Sequence, residues 1–111
     1  MNYEVILTDT AKEDLREIAL YLAKQTGDRS VAKRFVAELR DKCRELEVFP
    51  NSGALPRDRI LKSMGYRFVV HKNYLLFYLV DDEKKTVSVM AIFNGKRDYL
   101  RVMSGFNSSE E

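Results

Sequence analysis

The chain has 111 residues, 45% of them hydrophobic and 32% charged, which is the size and composition of one soluble domain with a single core. It has no apolar run near the roughly 20 residues that cross a bilayer and no signal-peptide pattern, so we expect a cytoplasmic protein without a membrane-spanning segment. Cys43 is the single cysteine, which excludes an internal disulfide. Its helical spacing predicts a buried side chain rather than a nucleophile.

Charge is unevenly distributed along the chain. Residues 1–50 hold nine Lys and Arg against ten Asp and Glu, whereas residues 51–103 hold ten against five. The second half therefore carries the surplus of positive charge. Such a surplus suits contact with RNA or DNA, or with an acidic protein, and does not by itself choose between them.

The first half of the chain has the pattern of one strand followed by two helices. Asn2–Leu7 alternates as a strand does, and Thr10–Glu13 fits a capping box that begins a helix. This helix is predicted to end at Gly27, after which Asp28 or Ser30 caps a second helix that extends to near residue 50. The short connection predicts an antiparallel hairpin. The apolar stripes of the two helices comprise Ala11, Leu15, Ile18, Ala19, Leu22, Ala32, Phe35, Leu39, Cys43 and Leu46.

The second half of the chain predicts a three-stranded antiparallel meander. Its strands are the short apolar runs Tyr66–His71, Tyr74–Asp81 and Thr86–Phe93, and residues 51–63 before them read as an irregular, basic connection. Both alternating sets of the middle strand are apolar, which indicates cover on both faces of the sheet. We assign the helices to the face with Leu76, Tyr78 and Val80. The predicted fold is therefore α+β, one domain over residues 1–111, with the N-terminal strand, the helical hairpin packed on one sheet face, and then the meander.

The opposite face of the sheet has no evident cover in the sequence. We expect it to bind a partner, with cationic side chains around its rim. The alternative is that residues 51–63 and 97–106 of the same chain pack on it. Residues 98–103 fit either a short helix or a last strand, and residues 104–111 are expected to be disordered. The apolar residues assigned to the partner are Val69, Leu75, Phe77 and Leu79, and the rim residues are Arg67, His71, Lys96 and Arg97.

A few side chains are candidates for chemistry or anion binding. The guanidinium of Arg67 or Arg97 can hold a phosphate or a carboxylate through paired hydrogen bonds, and each also fits a structural role at a strand end. His71, the only histidine, can act as an acid or base near neutral pH, or can be an exposed turn residue. Tyr99 is of a type that stacks on bases. No cluster has metal-ligand spacing, so no metal or organic cofactor is expected.

The order of elements and a series of landmarks resemble the RelE/ParE superfamily of toxins from type II toxin–antitoxin modules. The first helix opens with Thr8, Ala11, Asp14 and Leu15 at the spacing common in that superfamily. The long helical hairpin and the Arg97-Asp98-Tyr99 ending are more similar to the ParE branch than to the RelE branch. The remaining landmarks extend the resemblance over residues 3–103: Tyr21, Ala32, Phe35, Leu39, Leu46, Phe49-Pro50, Gly53, Tyr66-Arg67, Asn73-Tyr74, Phe77-Tyr78, Asp81 and Gly95-Lys96.

The resemblance implies a growth-inhibiting toxin that is silenced by a cognate antitoxin, whose extended or helical segment covers apolar grooves of the toxin. It implies either ParE-like action on DNA gyrase or RelE-like cleavage of mRNA in the ribosome, in both cases without a cofactor. A homodimer, or a heterotetramer with the antitoxin, is the assembly that we expect. The antitoxin would occupy the apolar face described above.

The chain departs from the RelE pattern at two catalytic positions. Leu75 stands where RelE members carry an arginine, and Met103 replaces a tyrosine. The loss of one transition-state contact typically lowers a rate by roughly 10²–10³, so we favour binding to gyrase. The target-binding residues are then Arg67, Lys96, Arg97, Asp98, Tyr99 and Arg101.

The first alternative is a ribosome-dependent endonuclease that uses Arg67, His71, Arg97 and Tyr99. A second alternative is an interaction module that has lost toxicity and only binds an antitoxin; its overproduction would leave growth unaffected.

Overall fold

The structure is a computed structural model that describes residues 2–98 and 101. Tyr99, Met103, most of the predicted terminal segment 98–103 and the tail 104–111 lie outside the described residues. A short 3-10 turn at Glu45–Glu47 follows the second helix. In chain order the helices and strands are β1 (Glu4–Leu7), α1 (Asp9–Thr26), α2 (Arg29–Arg44), α3 (Arg59–Ser63), β2 (Arg67–His71), β3 (Tyr74–Asp81) and β4 (Thr86–Asn94).

The described strands form one sheet in the order β1-β4-β3-β2. β2, β3 and β4 make the predicted antiparallel meander, and β1 pairs in parallel with β4, ending with Leu7 opposite Val89. α1 and α2 follow β1 in the chain and pack together as the predicted hairpin, and α3, β2 and β3 come between this hairpin and β4. The α+β fold with a strand, a helical hairpin and a meander is therefore confirmed.

Helix α1 begins earlier than the sequence predicted. Its N-cap is Thr8, whose hydroxyl oxygen accepts the Ala11 N–H at 3.2 Å, so the predicted capping box at Thr10–Glu13 is wrong. The Thr8 hydroxyl also donates to the Val89 carbonyl oxygen at 2.9 Å, which fixes the start of the helix against β4. The predicted end is confirmed, because Gly27 has a φ of 69°, in the left-handed region that closes helices.

Helix α2 begins after Asp28, one of the two predicted caps, whose carboxylate accepts the Ser30 N–H at 2.8 Å. It ends at Arg44, so the predicted end near residue 50 was too late. Cys43 is buried on this helix, as predicted, and burial raises the pKa of its thiol to about 11. The thiol is therefore protonated at neutral pH and behaves as an apolar side chain.

The main core lies between the helical hairpin and one face of the sheet. Leu76 and Tyr78 are fully buried there and Val80 is partly buried, which confirms the face assigned to the helices. Val69 also packs into this core, because it is the cross-strand partner of Leu76. The other core members include Leu15 and Ile18 of α1, Leu39 and Cys43 of α2, and Val87, Val89 and Ile92 of β4.

The opposite face of the sheet has a second, smaller core, so the prediction that the chain leaves this face uncovered was wrong. Helix α3 supplies Leu61, which is 1% exposed, and Phe77 of β3 is 2% exposed beneath this cover. The segment 51–63 is thus not wholly irregular: Asp58 caps α3 by accepting the Leu61 N–H at 2.9 Å. Tyr66, Ala91 and Phe93 complete the cluster, and Phe68, Leu75, Leu79 and Met90 are half-buried around it.

The loop before α3 is fixed to the sheet through Gly53. The Gly53 N–H donates to the buried Tyr78 hydroxyl at 2.9 Å, and the next residue, Ala54, bridges Phe68 at the outer edge of β2. A Cβ at position 53 would lie 2.6 Å from the Tyr78 hydroxyl oxygen and 2.7 Å from the Phe68 carbonyl oxygen. Only glycine allows this close approach.

Replacing Tyr78 with Phe is expected to lower the free energy of unfolding by roughly 1–3 kcal/mol, because it leaves the Gly53 N–H buried without its acceptor. Urea denaturation measures this loss. The matched control is Tyr3→Phe, which removes an exposed hydrogen bond to Asp82 and should cost clearly less. Equal losses in the two variants would contradict the assignment.

Candidate functional site

β4 continues beyond the point where β1 stops covering it. β1 ends at Leu7, opposite Val89, whereas β4 runs on to Asn94. Met90 is bulged at this point, since Tyr78 of β3 pairs with Val89 and the neighbouring Phe77 pairs with Ala91, which leaves Met90 without a partner in β3. The free outer edge of β4 therefore faces helix α1 rather than another described strand.

Asp14 of α1 binds this free edge. One carboxylate oxygen accepts the Ile92 N–H at 2.9 Å, and the other accepts from the Arg101 guanidinium, also at 2.9 Å. Asp14 is 8% exposed, so both bonds are shielded from water. The Arg101 guanidinium carbon also lies 4.9 Å from the ring centroid of Phe93. One carboxylate thus joins a helix, a strand and the segment that follows the strand.

The turn after β4 is fixed by hydrogen bonds from its backbone N–H groups. The Asn94 side-chain oxygen accepts the N–H groups of Lys96 and Arg97 at 2.9 and 2.8 Å, and the Gly95 N–H donates to the Asn73 carbonyl oxygen at 2.8 Å. Lys96 points into solvent. The turn therefore presents its two adjacent cations from a defined backbone rather than from a loose loop.

Arg97 lies against the helical side of the molecule. Its guanidinium carbon is 4.1 Å from the ring centroid of Tyr21 on α1, and its Nη2 is 3.6 Å from a carboxylate oxygen of Asp98. Burial disfavours its charged form, but hydrogen bonding to the Tyr74 hydroxyl and the charge of Asp98 outweigh burial and raise the pKa of Arg97. Arg97 therefore stays charged while 40% of its side chain remains exposed.

His71 is not the exposed turn residue that the sequence also allowed. Its Nε2 lies 2.8 Å from a carboxylate oxygen of Glu38 on α2, and its ring centroid is 5.5 Å from that of Phe35. Lys72 approaches the same Glu38 oxygen at 3.7 Å. The hydrogen bond with His71, followed by the charge of Lys72, holds the pKa of Glu38 below its usual value.

Arg67 and Arg97 are not brought together. The Arg67 guanidinium donates to the Gly53 carbonyl oxygen at 2.9 Å, and Arg67 pairs with Tyr78 in the sheet. Arg97 follows the end of β4 beside Tyr74, which is four residues from Tyr78 along β3, or about 13 Å of strand. The predicted rim is thus divided, with His71, Lys96 and Arg97 at one end of the sheet and Arg67 at the other.

The predicted antitoxin-binding residues are also divided. Leu75, Phe77 and Leu79 belong to the face away from the helical hairpin, whereas Val69 faces the helices. Phe77 is buried beneath α3, which leaves the half-buried Leu75 and Leu79 accessible. The four side chains therefore do not form one surface.

The sequence placed Asp14, Tyr21 and Tyr74 among the family landmarks but did not assign them to the site. A signal for Asp14 was present, because its spacing with Ala11, Leu15 and Ile18 places a carboxylate in the apolar stripe of α1. A charge at such a position needs a buried partner. The partner itself could not be read from the sequence, since Ile92 is 78 residues away along the chain.

Two general features of the described residues bear on function. Within residues 2–98 and 101, no helix is long and apolar enough to cross a membrane. In the same part of the chain, no group of three or more His, Cys, Asp and Glu side chains is arranged to hold a metal ion.

Solved structures with this fold define the class of protein. A toxin–antitoxin complex, RelBE2 from Mycobacterium tuberculosis, is 24% identical, with a TM-score of 0.65 over 85% of this chain and 99% of that one. The chromosomal ParDE system of P. aeruginosa is 18% identical, with a TM-score of 0.69 over 83% and 95% of the two chains. A doubly substituted E. coli toxin RelE in its free state is 17% identical, with a TM-score of 0.62 over 96% and 98%. The chain has the RelE/ParE toxin fold.

The sequence identifies the family within that fold. The profile of the ParE toxin of the type II toxin–antitoxin system parDE matches residues 5–99. The chain belongs to the ParE toxin family, as its landmarks indicated. No curated protein matches the chain in sequence at a significant level.

Replacing His71 with Ala is expected to raise the pKa of Glu38 toward its ordinary value, with Lys72 retaining part of the effect. A carboxyl NMR titration measures this change. Asp28 is the internal control, because the hydrogen bond from Ser30 lowers its pKa independently of His71. A Glu38 pKa unchanged in the variant would refute the contact.

The same contact has a defined effect on stability. Glu38 has a lowered pKa in the folded chain, so its contribution is complete above its unfolded pKa and disappears as the pH falls through the folded value. The difference in unfolding free energy between the wild type and His71→Ala should therefore be larger at neutral pH than in acid. Urea denaturation at both pH values measures this difference.

Proposed function

We propose that the chain inhibits growth as a ParE-type toxin that binds DNA gyrase in the cytoplasm. Its contact region would be the target surface, which we define as Tyr21, Lys96, Arg97, Asp98 and Arg101. The function would require no metal or organic cofactor. Membership of the ParE family supports the choice of gyrase.

The observation that carries this proposal is the arrangement of Arg97. It is charged, partly exposed, and fixed between the Tyr21 ring and the Asp98 carboxylate by a turn with ordered hydrogen bonds. An arginine preorganised in this way loses little conformational freedom on binding, which favours a central role at an interface. Tyr99 belongs to the same proposed surface, although it lies outside the described residues.

The geometry favours binding over RNA cleavage. Leu75 stands at the position of a RelE arginine, and its side chain lies against Gly95. A Cβ at position 95 would be 3.1 Å from Leu75 Cδ1. Arg67 is tied to Gly53 at the far end of the sheet. The observation that favours the nuclease alternative is narrower: Arg97 contacts Tyr74, which is the cross-strand partner of His71.

The antitoxin would bind the accessible part of the second sheet face. A groove of about 680 Å³ lies there, and its apolar lining is Ile6, Met64, Leu79, Val80 and Met90. We call it the sheet groove. Ile6 and Met64 are 42% and 58% exposed, and exposed apolar side chains grouped in one groove are typical of a protein-binding site. Two of the structural relatives are toxin–antitoxin systems, which supports such a partner.

Arg97→Ala is expected to abolish growth inhibition while the cognate antitoxin still binds. Truncation of a central interface arginine typically costs about 2–4 kcal/mol of binding free energy, or roughly 30-fold or more in affinity. Growth after induction, together with co-purification of the antitoxin, measures both effects. The control is Arg44→Ala, which removes an exposed arginine at the end of α2 and should remain toxic.

Two assays on the wild type identify the target. Altered topoisomers in a supercoiling assay with purified gyrase, without cuts in mRNA by primer extension, support the proposal. Codon-positioned cuts would replace it with the nuclease alternative. Overproduction without any effect on growth would instead indicate a module that only binds antitoxin.

A further inference from the structure

We propose that Asp14 is a positioning residue for the target surface, acting through Arg101 and the end of β4. This inference rests on the proposed function for its biological meaning, although its structural part can be tested independently. Asp14 does not itself belong to the target surface. It is nearly buried and both of its oxygens are engaged within the chain.

The first step is that the outer edge of β4 needs a hydrogen-bond acceptor beyond the end of β1. Beyond Val89, β1 no longer supplies carbonyl groups to the outer edge of β4. The Ile92 N–H lies on this edge and is buried, so without an acceptor it would carry the full cost of desolvation. The Asp14 oxygen at 2.9 Å replaces the missing strand and fixes β4 two residues before its end at Asn94.

The second step is the use of the other carboxylate oxygen. It accepts from the Arg101 guanidinium at 2.9 Å, and only 20% of the Arg101 side chain is exposed. A charged hydrogen bond with low exposure is stronger and more directional than a surface ion pair. The two oxygens of one carboxylate therefore set the distance between β4 and the segment that follows it.

The third step connects this arrangement to Arg97. Arg97 lies between Asn94, where β4 ends, and Arg101, so Asp14 holds the chain on both sides of it. Tyr21, on which Arg97 rests, is seven residues after Asp14 on the same helix and thus on the same side. Asp14 and Arg97 line the same cavity, which has a volume of about 240 Å³. Asp14 thereby aligns the segment with the ring that receives Arg97.

Substitutions can separate the two bonds. In Asp14→Asn, the side-chain oxygen still accepts the Ile92 N–H. The hydrogen bond from Arg101 is lost, because the amide NH2 group and the guanidinium are both donors. In Asp14→Ala, both bonds are lost. Glu13→Gln is the matched control, because it removes a charge of the same helix whose ion pair is with the exposed Arg16.

Amide hydrogen exchange and arginine side-chain NMR test the structural part in the purified chain. Exchange at Ile92 should accelerate at least about tenfold in Asp14→Ala and stay within about threefold of the wild type in Asp14→Asn. The side-chain signals of Arg97 and Arg101 should shift in both variants but not in Glu13→Gln. Unchanged exchange in Asp14→Ala, or arginine signals that do not shift, would overturn the inference whether or not the chain is toxic.

Growth inhibition tests the functional part. The inducer level for half-maximal inhibition should rise at least about tenfold in Asp14→Asn. If Asp14 acts through Arg101, then adding Asp14→Asn to Arg101→Met should cause no further loss. A loss that is additive in the double variant would contradict this route.

Tyr78→Phe provides the control for a merely structural role, because it destabilises the fold without touching the target surface. At equal or lower stability, Tyr78→Phe should remain more toxic than Asp14→Asn. If toxicity instead follows stability alone across these variants, Asp14 is not a positioning residue. A wild type that does not inhibit growth would remove the proposed function, while the exchange and NMR results would still decide the structural role.

Discussion

The architecture depends on a mismatch in length between two paired strands. β1 has four residues and β4 has nine, so β1 can cover only the first part of the outer edge of β4. An uncovered edge amide in a buried position costs about 1–3 kcal/mol, so another element must supply an acceptor. Asp14 of α1 supplies this acceptor to the Ile92 N–H, and the Thr8 hydroxyl donates to the Val89 carbonyl oxygen at the point where β1 ends. The helical hairpin therefore completes the sheet as well as covering it.

Cover on both sheet faces restricts how a second molecule can bind. α1 and α2 fill one face, while Leu61 and a row of aromatic rings fill much of the other. Phe77 lies at the centre of this row, stacked on Phe93 with ring centroids 5.7 Å apart and tilted against Phe68 at 5.2 Å. A partner of this face would have to bind around the aromatic row, at its half-buried margins, rather than on a bare apolar sheet.

The local pattern of the sequence was sufficient for most of the fold. Alternation in β3 and the 3.6-residue period of α1 and α2 identified which side chains enter the main core, because burial of those side chains is what the period reflects. Helix α3 was missed because five residues are too few to display a period. Its role depends on Leu61 meeting Phe77, a contact that local propensity does not encode.

The candidate site was less predictable because its contacts join distant parts of the chain. Arg97 was identified from residue type and its place after Gly95, but its ring partner Tyr21 lies 76 residues earlier. The sequence also placed Arg67 and Val69 with the wrong neighbours. Their actual surroundings follow from the register of β2 against β3, which pairs Arg67 with Tyr78 and Val69 with Leu76. A register of this kind is a tertiary property.

The two proposed surfaces lie at opposite ends of the β3–β4 pair. The sheet groove is formed near Leu79 and Thr86, where β3 ends and β4 begins, whereas the target surface follows Asn94, opposite Tyr74. The seven residue steps from Tyr74 to Asp81 span about 23 Å.

This separation limits how an antitoxin seated in the sheet groove could block Arg97. It would need a further extended segment of about seven residues to reach that side chain. Otherwise, it would have to act through the elements between the two surfaces. β4 connects them directly, and Asp14 fixes its far end to α1. Displacement of β4 at the groove would thus change the position of Arg97. An antitoxin bound in the sheet groove could therefore neutralise the toxin either by contact with Arg97 or by distortion of β4.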